Sequence, residues 1–228
     1  MTAEPVTIQV DEGHAVSGLV QIPNGAFACY VMAHGAGAGM THRFMEGVAD
    51  GLSERGVATL RFQFPYMESG SKRPDRPALA QATVRAAVAA AGRFAPGLPL
   101  FAGGKSFGGR MTSQAQAEGP LQDVRGLVFL GFPLHPANKP SDERAQHLAA
   151  VRVPMLFLQG TRDALANTKL LVPMIEALGA GATLKLIEDA DHSFHVPVRS
   201  GRTDDQALSQ ILDAAAFWMR EVSGCARA

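Results

Sequence analysis

Residues 98–111 read LPLFAGGKSFGGRM and carry the most structural information in this sequence. The run Pro99–Ala102 is short and apolar, which is typical of a strand buried on both faces of a sheet. GKSFG follows at 104–108, and the helix-compatible segment GRMTSQAQA comes next. A strand, then G-x-S-x-G, then a helix predicts a sharp turn that exposes the Ser106 hydroxyl, because small flanking residues let the turn pack against neighbouring strands.

Further strands are predicted on both sides of this turn. Val6–Val10 and Val16–Ile22 alternate apolar and polar residues around a turn at 11–13, which predicts an antiparallel hairpin. Later runs are almost continuously apolar, as in parallel strands covered by helices on both faces: Ala26–Ala33, Val57–Phe64, Leu127–Leu130, Pro154–Leu158 and Thr183–Ile187. Amphipathic stretches lie between them, and Thr203 with Gln206 predicts a capping box at the start of the last helix.

The pattern therefore predicts an α/β fold with a mostly parallel central sheet, an antiparallel N-terminal hairpin and helices on both faces. Residues 1–228 are expected to form one domain, because the stretches between strands hold the helices and leave no room for a separate cap domain. In such sheets the ligand lies in the loops beyond the carboxyl ends of the strands. Candidate functional residues are therefore sought in those loops.

Composition and charge exclude several classes of protein. Hydrophobic residues make up 46% of the chain, and 21 basic side chains balance 21 acidic ones, so no nucleic-acid partner is expected. No apolar run approaches the roughly 20 residues that cross a bilayer, and MTAEPVTIQV does not resemble a signal peptide. Two cysteines, Cys29 and Cys225, fit a reducing compartment. We expect a cytoplasmic protein without membrane contact, and the sequence leaves its oligomeric state open.

A serine nucleophile requires a base and a carboxylate that orients the base. Asp163 follows the strand predicted at 154–158, and His192 follows the strand predicted at 183–187. Both positions are loops at the carboxyl edge of the sheet, and the order Ser, Asp, His fits a strand–turn–helix nucleophile. Ser106, Asp163 and His192 are the predicted catalytic residues. Other acidic residues crowd the histidine, and His195 is a rival base.

Backbone donors for a tetrahedral oxyanion are expected beside this serine. One is the amide of Phe107, which opens the helix after Ser106. The other comes from the loop HGAGAGM at 34–40, where we favour Ala36 with Gly35 as its neighbour. A phosphate loop ending at Gly104-Lys105-Ser106 is disfavoured because Pro99 replaces the glycine that it needs. A dinucleotide loop at 35–40 is weak because Met40 replaces the third glycine.

These motifs resemble the α/β-hydrolase superfamily. The longer segments are similar to a small lidless branch, related to dienelactone hydrolases and to the hydrolase-like subunit of a histone acetyltransferase complex: HGAGAGMTHRFME (34–46), RFQFPYM (61–67), GGKSFGGRM (103–111), FLGFPLHPANKP (129–140) and DADHSF (189–194). The resemblance implies the fold, the three catalytic residues and esterase-type activity on an undetermined substrate. Dienelactone hydrolases carry a cysteine nucleophile where this chain has Ser106, so lactone specificity is not implied.

Three loops are expected to form the substrate rim, at 40–45, 64–77 and 132–140. Candidate lining residues are Phe64, Tyr66, Met67, Phe107, Phe132, His135 and His42, each of which ordinary packing would also explain. A basic cluster at Lys72, Arg73 and Arg76 is either solvated surface or a contact for an anionic substrate or partner.

The sequence predicts a serine hydrolase, of the carboxylesterase type, that forms an acyl-enzyme on Ser106 from a small ester or thioester. Its partner is then a small-molecule substrate, and neither a metal nor an organic cofactor is expected. The alternative is a binding or scaffold module that keeps the fold without turnover.

Overall fold

The computed structural model describes residues 2–224, so Cys225 lies outside the described residues. One eight-stranded sheet runs through the molecule in the order β1-β2-β4-β3-β5-β6-β7-β8. The strands are β1 Glu4–Gln9, β2 Ala15–Gln21, β3 Ala28–Ala33, β4 Val57–Phe62, β5 Leu100–Lys105, β6 Val124–Leu130, β7 Met155–Gly160 and β8 Ala182–Ile187. β1 pairs antiparallel with β2, and β2 antiparallel with β4, whereas every other pairing is parallel.

Within residues 2–224, six α-helices accompany the sheet. They are α1 Arg43–Glu54, α2 Pro65–Glu68, α3 Pro77–Phe94, α4 Phe107–Glu118, α5 Thr168–Ala177 and α6 Asp204–Ser223, and a 3₁₀ helix spans Glu143–Ala150. α1 and α6 cover one face of the sheet, and α3, α4 and α5 cover the other. The predicted fold class, with its antiparallel N-terminal hairpin, is confirmed.

The central strands are apolar on both faces because each face packs under helices. In β3 every residue is buried, and alternate side chains enter different cores. Ala28, Tyr30 and Met32 lie under α1 and α6, whereas Cys29, Val31 and Ala33 lie on the α3–α5 side. This explains why the sequence of β3 shows a continuous apolar run instead of alternation.

The last helix begins where its capping signal predicts. The Thr203 hydroxyl accepts a hydrogen bond from Gln206 N, and the Gln206 side chain accepts one from Thr203 N, which together form a capping box. α6 ends at Gly224, which adopts the left-handed conformation with φ 68°. Over residues 2–224, no helix combines the length and apolarity needed to cross a membrane.

Several strand boundaries differ from those expected from the sequence. β6 begins at Val124, three residues before the apolar run Leu127–Leu130. β5 continues through both glycines to Lys105, which extends it beyond Ala102. β4 ends at Phe62 because Pro65 starts α2, where the fixed φ of proline suits the first turn of a helix.

Candidate active site

Ser106 lies on a strained turn between β5 and α4. Its backbone has φ 50° and ψ −114°, a conformation that non-glycine residues rarely adopt. The glycines around it have no room for a side chain. A Cβ atom on Gly104 would lie 2.0 Å from the Ala33 carbonyl oxygen, and one on Gly108 would lie 2.6 Å from the same atom. The strained turn therefore packs directly against the end of β3, as the G-x-S-x-G spacing predicts.

Parallel strands bring the other two predicted catalytic residues to this turn. His192 Nε2 lies 2.9 Å from Ser106 Oγ, and His192 Nδ1 lies 2.6 Å from Asp163 Oδ2. The Asp163 side chain is fully buried, and that of His192 is 23% exposed. Asp163 follows β7 and His192 follows β8, so both reach Ser106 from the carboxyl edge of the sheet. This arrangement places an acceptor next to the serine hydroxyl and a carboxylate behind the imidazole.

Further hydrogen bonds hold the Asp163 carboxylate in place. Its Oδ1 accepts from Leu165 N at 2.7 Å, and its Oδ2 also accepts from the side-chain amide of Gln159. Gln159 is completely buried in β7, and its side-chain Oε1 accepts from Phe132 N at 2.8 Å. Sequence reasoning missed Gln159, although a polar residue in the otherwise apolar run that ends at Gly160 was an available signal.

The rival groups near His192 have other partners. His195 Nδ1 lies 2.9 Å from Asp204 Oδ2, and that hydrogen bond raises the pKa of His195. The Asp191 carboxylate accepts hydrogen bonds from the backbone amides of Ser193 and His195, so it shapes the loop instead of binding an imidazole. Of these histidines, it is His192 that the fold brings to Ser106.

The loop after β3 is fixed by two ring side chains. His34 Nδ1 donates to the Gly35 carbonyl at 2.8 Å, and His34 Nε2 accepts from Phe64 N at 3.0 Å. Burial lowers the pKa of His34, which favours this neutral tautomer. The Tyr66 hydroxyl donates to the Ala36 carbonyl at 2.9 Å, and burial raises the pKa of Tyr66 to about 12. The Gly35 and Ala36 carbonyls are therefore held on the side of the loop that faces the His34 and Tyr66 rings.

A cavity of about 770 Å³ opens directly over Ser106 and His192. Its polar lining includes His42, Arg43, Lys105, His195 and Asp204. Its apolar lining comes from the loops after β3, β7 and β8, the start of α1, and α6. The members are Gly35, Ala36, Phe44, Met45, Leu165, Phe194 and Leu208. Leu208 lies on α6, where it also packs against the core beneath α1 and α6.

Most of the expected rim residues lie elsewhere. Four of them are buried and do not line this cavity: Phe64, Tyr66, Phe132 and His135. Phe64 and Tyr66 pack under the loop after β3 because α2 turns them inward, and Met67 and Phe107 pack against the same core. The His135 imidazole is hydrogen-bonded to the backbone, since its Nε2 accepts from Asn167 N at 3.0 Å.

The remaining rim expectations have mixed outcomes. His42 does line the cavity, and its Nδ1 accepts from Phe44 N to cap α1. The basic cluster is absent from the lining, and Lys72, Arg73 and Arg76 are all exposed. Lys105, Phe44 and Phe194 line the site without having been singled out, because their positions depend on contacts between distant segments.

Solved structures share this fold over nearly the whole chain. A dienelactone hydrolase from Anabaena variabilis is 24% identical, has a TM-score of 0.75, and the match covers 96% of this chain and 97% of that one. An α/β serine hydrolase without a lid from Xanthomonas campestris is 19% identical, with a TM-score of 0.73 and coverage of 96% and 95%. The esterase domain of a Rhodothermus marinus protein is 15% identical, with a TM-score of 0.73 and coverage of 97% and 99%.

At these identities the likeness shows the fold alone, and the similarity to the histone acetyltransferase subunit stays a prediction. The family model described as "Alpha/beta hydrolase domain" matches residues 26–220, which includes the turn at Ser106 and the loops of Asp163 and His192. Because that match spans most of the sequence, this chain belongs to the α/β hydrolase domain family.

Proposed function

We propose that the protein is a serine-dependent hydrolase that cleaves small carboxylic esters or thioesters. The observation that carries this proposal is the continuous set of hydrogen bonds from Asp163 through His192 to Ser106, beneath an open cavity. Two structural neighbours, a dienelactone hydrolase and an esterase domain, act on esters by name, which supports ester chemistry. Ser106 in place of a cysteine argues against carrying over specificity for lactones.

In the first half-reaction, Ser106 Oγ attacks the ester carbonyl while His192 Nε2 takes the hydroxyl proton. The bond to the leaving alcohol or thiol breaks, and His192 returns the proton to it. In the second half-reaction, His192 takes a proton from water, which attacks the acyl carbonyl. The bond between that carbon and Ser106 Oγ then breaks, His192 returns the proton to Oγ, and the carboxylic acid leaves. Asp163 keeps Nδ1 protonated and stabilises the transient imidazolium.

The amides of Phe107 and Ala36, with Gly35 beside them, are proposed to bind the oxyanion. Phe107 opens α4, where N–H groups have no partner within the helix. The Gly35 carbonyl is bound by His34, and a trans peptide directs its C=O and N–H in opposite directions. The Ala36 amide is therefore directed away from the His34 ring. Ala36 lines the cavity whereas His34 does not, which supports Ala36 as the second oxyanion donor.

The proposal also covers the organisation of the chain. Residues 1–228 would form one hydrolase domain without a separate cap, which the single sheet and the helices that fill the segments between strands support. A site without a cap favours short or extended esters over bulky lipids. A cytoplasmic location is proposed from the low cysteine content.

A fluorophosphonate probe tests this function because it phosphonylates an activated serine. Wild-type protein should be labelled, and Ser106→Ala should not. A panel of p-nitrophenyl esters should then give higher kcat/KM on acetate and butyrate than on long acyl chains. Wild-type protein that is neither labelled nor active on any ester would contradict the proposal and favour a binding module that only retains the fold.

A further inference from the structure

Lys105 is the residue between Gly104 and the proposed nucleophile, at the carboxyl end of β5. Its side chain contributes to the cavity lining and is only partly exposed to solvent. Burial lowers the pKa of Lys105 to about 8, while the charges of Asp163 and Asp191 oppose that shift. A cation placed here is costly unless surrounding groups stabilise it, so its contacts need an explanation.

The ammonium group of Lys105 joins three segments of the site. It donates a hydrogen bond to the backbone carbonyl of His192. It also lies 5.0 Å from the ring centroid of Phe194 and 5.7 Å from that of Phe44, distances at which cation–π attraction operates. Those two rings stack on each other with centroids 5.8 Å apart and planes 10° apart. One side chain next to Ser106 thus contacts both the loop of His192 and the first turn of α1.

No acidic oxygen of the described residues lies within ion-pair distance of Lys105. The groups in direct contact with the charge are a carbonyl dipole and two ring faces, and the more distant charges of Asp163 and Asp191 add to its stabilisation. A carboxylate within ion-pair distance of Lys105 would stabilise the ammonium group without involving the His192 backbone. The hydrogen bond to the His192 carbonyl therefore links the position of this charge to the position of the His192 backbone.

We propose that Lys105 is a positioning residue: through the His192 carbonyl and the Phe44–Phe194 pair it fixes the His192 backbone, so that the imidazole stays within hydrogen-bonding distance of Ser106 Oγ. This inference rests on the proposed function, because it assigns Lys105 a role toward the same serine and histidine. Asp163 constrains the imidazole from the Nδ1 side, whereas Lys105 constrains the main chain that carries it. Both constraints are needed to fix the position of the His192 imidazole relative to Ser106 Oγ.

The contact depends on the charge of Lys105, so it should weaken at alkaline pH. Loss of the proton removes the cation–π attraction and turns a charge-assisted hydrogen bond into a weaker neutral one. Titratable groups facing Lys105 or the same cavity lie on several elements: Asp163 after β7, Asp191, His192 and His195 after β8, His42 and Arg43 at α1, and Asp204 and Asp205 on α6. Reactivity of Ser106 should therefore fall as the pH rises through about 8, the pKa of Lys105.

The test compares Lys105→Met, which keeps most of the apolar stem, with Lys105→Arg, which keeps a charge at all accessible pH values. Lys185→Met on the edge strand β8 is the matched control, since Lys185 is exposed. The measurements are the rate constant for fluorophosphonate labelling of Ser106 and kcat and KM for p-nitrophenyl acetate, from pH 6 to 10. Circular dichroism melts verify that each variant folds.

At pH 7, Lys105→Met should lower the labelling rate constant and kcat about tenfold or more, as a misplaced base does, with a smaller change in KM. The alkaline fall of the wild type should be absent from this variant. Lys105→Arg should recover part of the rate and keep it to higher pH. Lys185→Met should match the wild type throughout.

Folded Lys105→Met with the labelling rate and pH profile of the wild type would overturn the inference. If Lys105→Met does not fold, Lys105→Arg decides, because an alkaline fall identical to that of the wild type would exclude Lys105 as its cause. Wild-type protein that is not labelled at all would contradict the proposed function itself, so the two failures are distinguishable.

Discussion

At the scale of single residues, both oxygens of Asp163 accept hydrogen bonds, from Leu165 N on one side and from His192 and Gln159 on the other. An amide in its place must direct its NH₂ group at one of these donors. Asp163→Asn should therefore favour the wrong tautomer of His192 and lower kcat/KM for p-nitrophenyl acetate by about 10³–10⁴-fold, in line with triads of this kind. Fluorophosphonate labelling should slow in parallel.

Asp189→Asn is the matched control for this substitution. Asp189 adopts φ 60°, which asparagine also tolerates, and no hydrogen bond to its carboxylate is found among residues 2–224. Its rates should stay close to those of the wild type. Equal losses in the two variants would mean that Asp163 acts only through the general charge of this region and does not orient His192.

Tyr66 illustrates how a residue outside the cavity can influence the reaction. Its hydroxyl fixes the Ala36 carbonyl, and the peptides of this loop carry the proposed oxyanion donor. Tyr66→Phe removes one hydrogen bond worth roughly 1 kcal/mol. We expect kcat for p-nitrophenyl acetate to fall about fivefold while KM changes little, because the loop loses orientation more than substrate contact.

Tyr30→Phe provides the comparison, since these are the two tyrosines of the chain. The Tyr30 hydroxyl donates to the Val128 carbonyl at 2.8 Å in the core beneath α1 and α6. Its loss should lower the melting temperature and leave kcat unchanged. If Tyr66→Phe likewise changes only the melting temperature, the loop does not depend on this hydrogen bond for its function.

At the scale of elements, the turn between β5 and α4 reverses an ordinary helix rule. Alanine usually stabilises a helix relative to glycine by about 0.5–1 kcal/mol. At Gly108 in α4, however, the added Cβ would lie 2.6 Å from the backbone of β3. Gly108→Ala should therefore lower the free energy of unfolding by about 1–3 kcal/mol, as overpacking does. Urea denaturation measures the change.

Gly92→Ala in α3 tests the same substitution without the close contact. The nearest atom to its Cβ would be Leu100 Cδ1 at 3.9 Å, an ordinary van der Waals distance. This variant should be slightly more stable than the wild type. If Gly108→Ala and Gly92→Ala change the free energy of unfolding in the same direction, contact with β3 does not explain the glycine at 108.

The predictable elements are those whose signal is local. The hairpin, the buried strands and the capping box at Thr203 follow from periodicity and from side chains three residues apart. The substrate rim was not predictable from the sequence, where Phe64 and Tyr66 lie in an apparent apolar loop. In the structure Pro65 starts the short helix α2, and both side chains are buried in the core. Gln159 and Lys105 were missed because their partners lie far away in sequence.

At the scale of the whole molecule, strand order explains why the candidate site could be anticipated. β3 and β5 are neighbours, so the loop containing Ala36 meets the turn at Ser106. β7 and β8 are also neighbours, so the loops of Asp163 and His192 meet. Chain order and strand ends were enough to predict which residues converge. They were not enough to predict where the other acidic side chains near His192 would point, since that depends on loop backbone geometry.

A second serine–histidine contact ties the 3₁₀ helix at Glu143–Ala150 to α4. Ser113 Oγ donates to the Arg110 carbonyl at 2.9 Å, so its lone pair accepts from His147 Nε2 at 2.7 Å. The Ser113 hydroxyl proton is thus used in a hydrogen bond to the backbone. Neither Ser113 nor His147 lines the cavity at Ser106. Burial, and secondarily the charge of Arg110, lowers the pKa of His147 to about 4.

His147 should make the stability of the whole molecule depend on pH. Its ordinary pKa is 6.5 and its folded value about 4, so between these values the unfolded chain binds a proton that the native protein does not. The free energy of unfolding should therefore fall as the pH decreases from about 6.5 toward 4. The buried His34 shifts in the same direction, so the measurement is the difference between the wild type and His147→Gln in urea denaturation at pH 7 and pH 5. The wild type should lose more stability over this interval, and equal losses would show that His147 is not the group responsible.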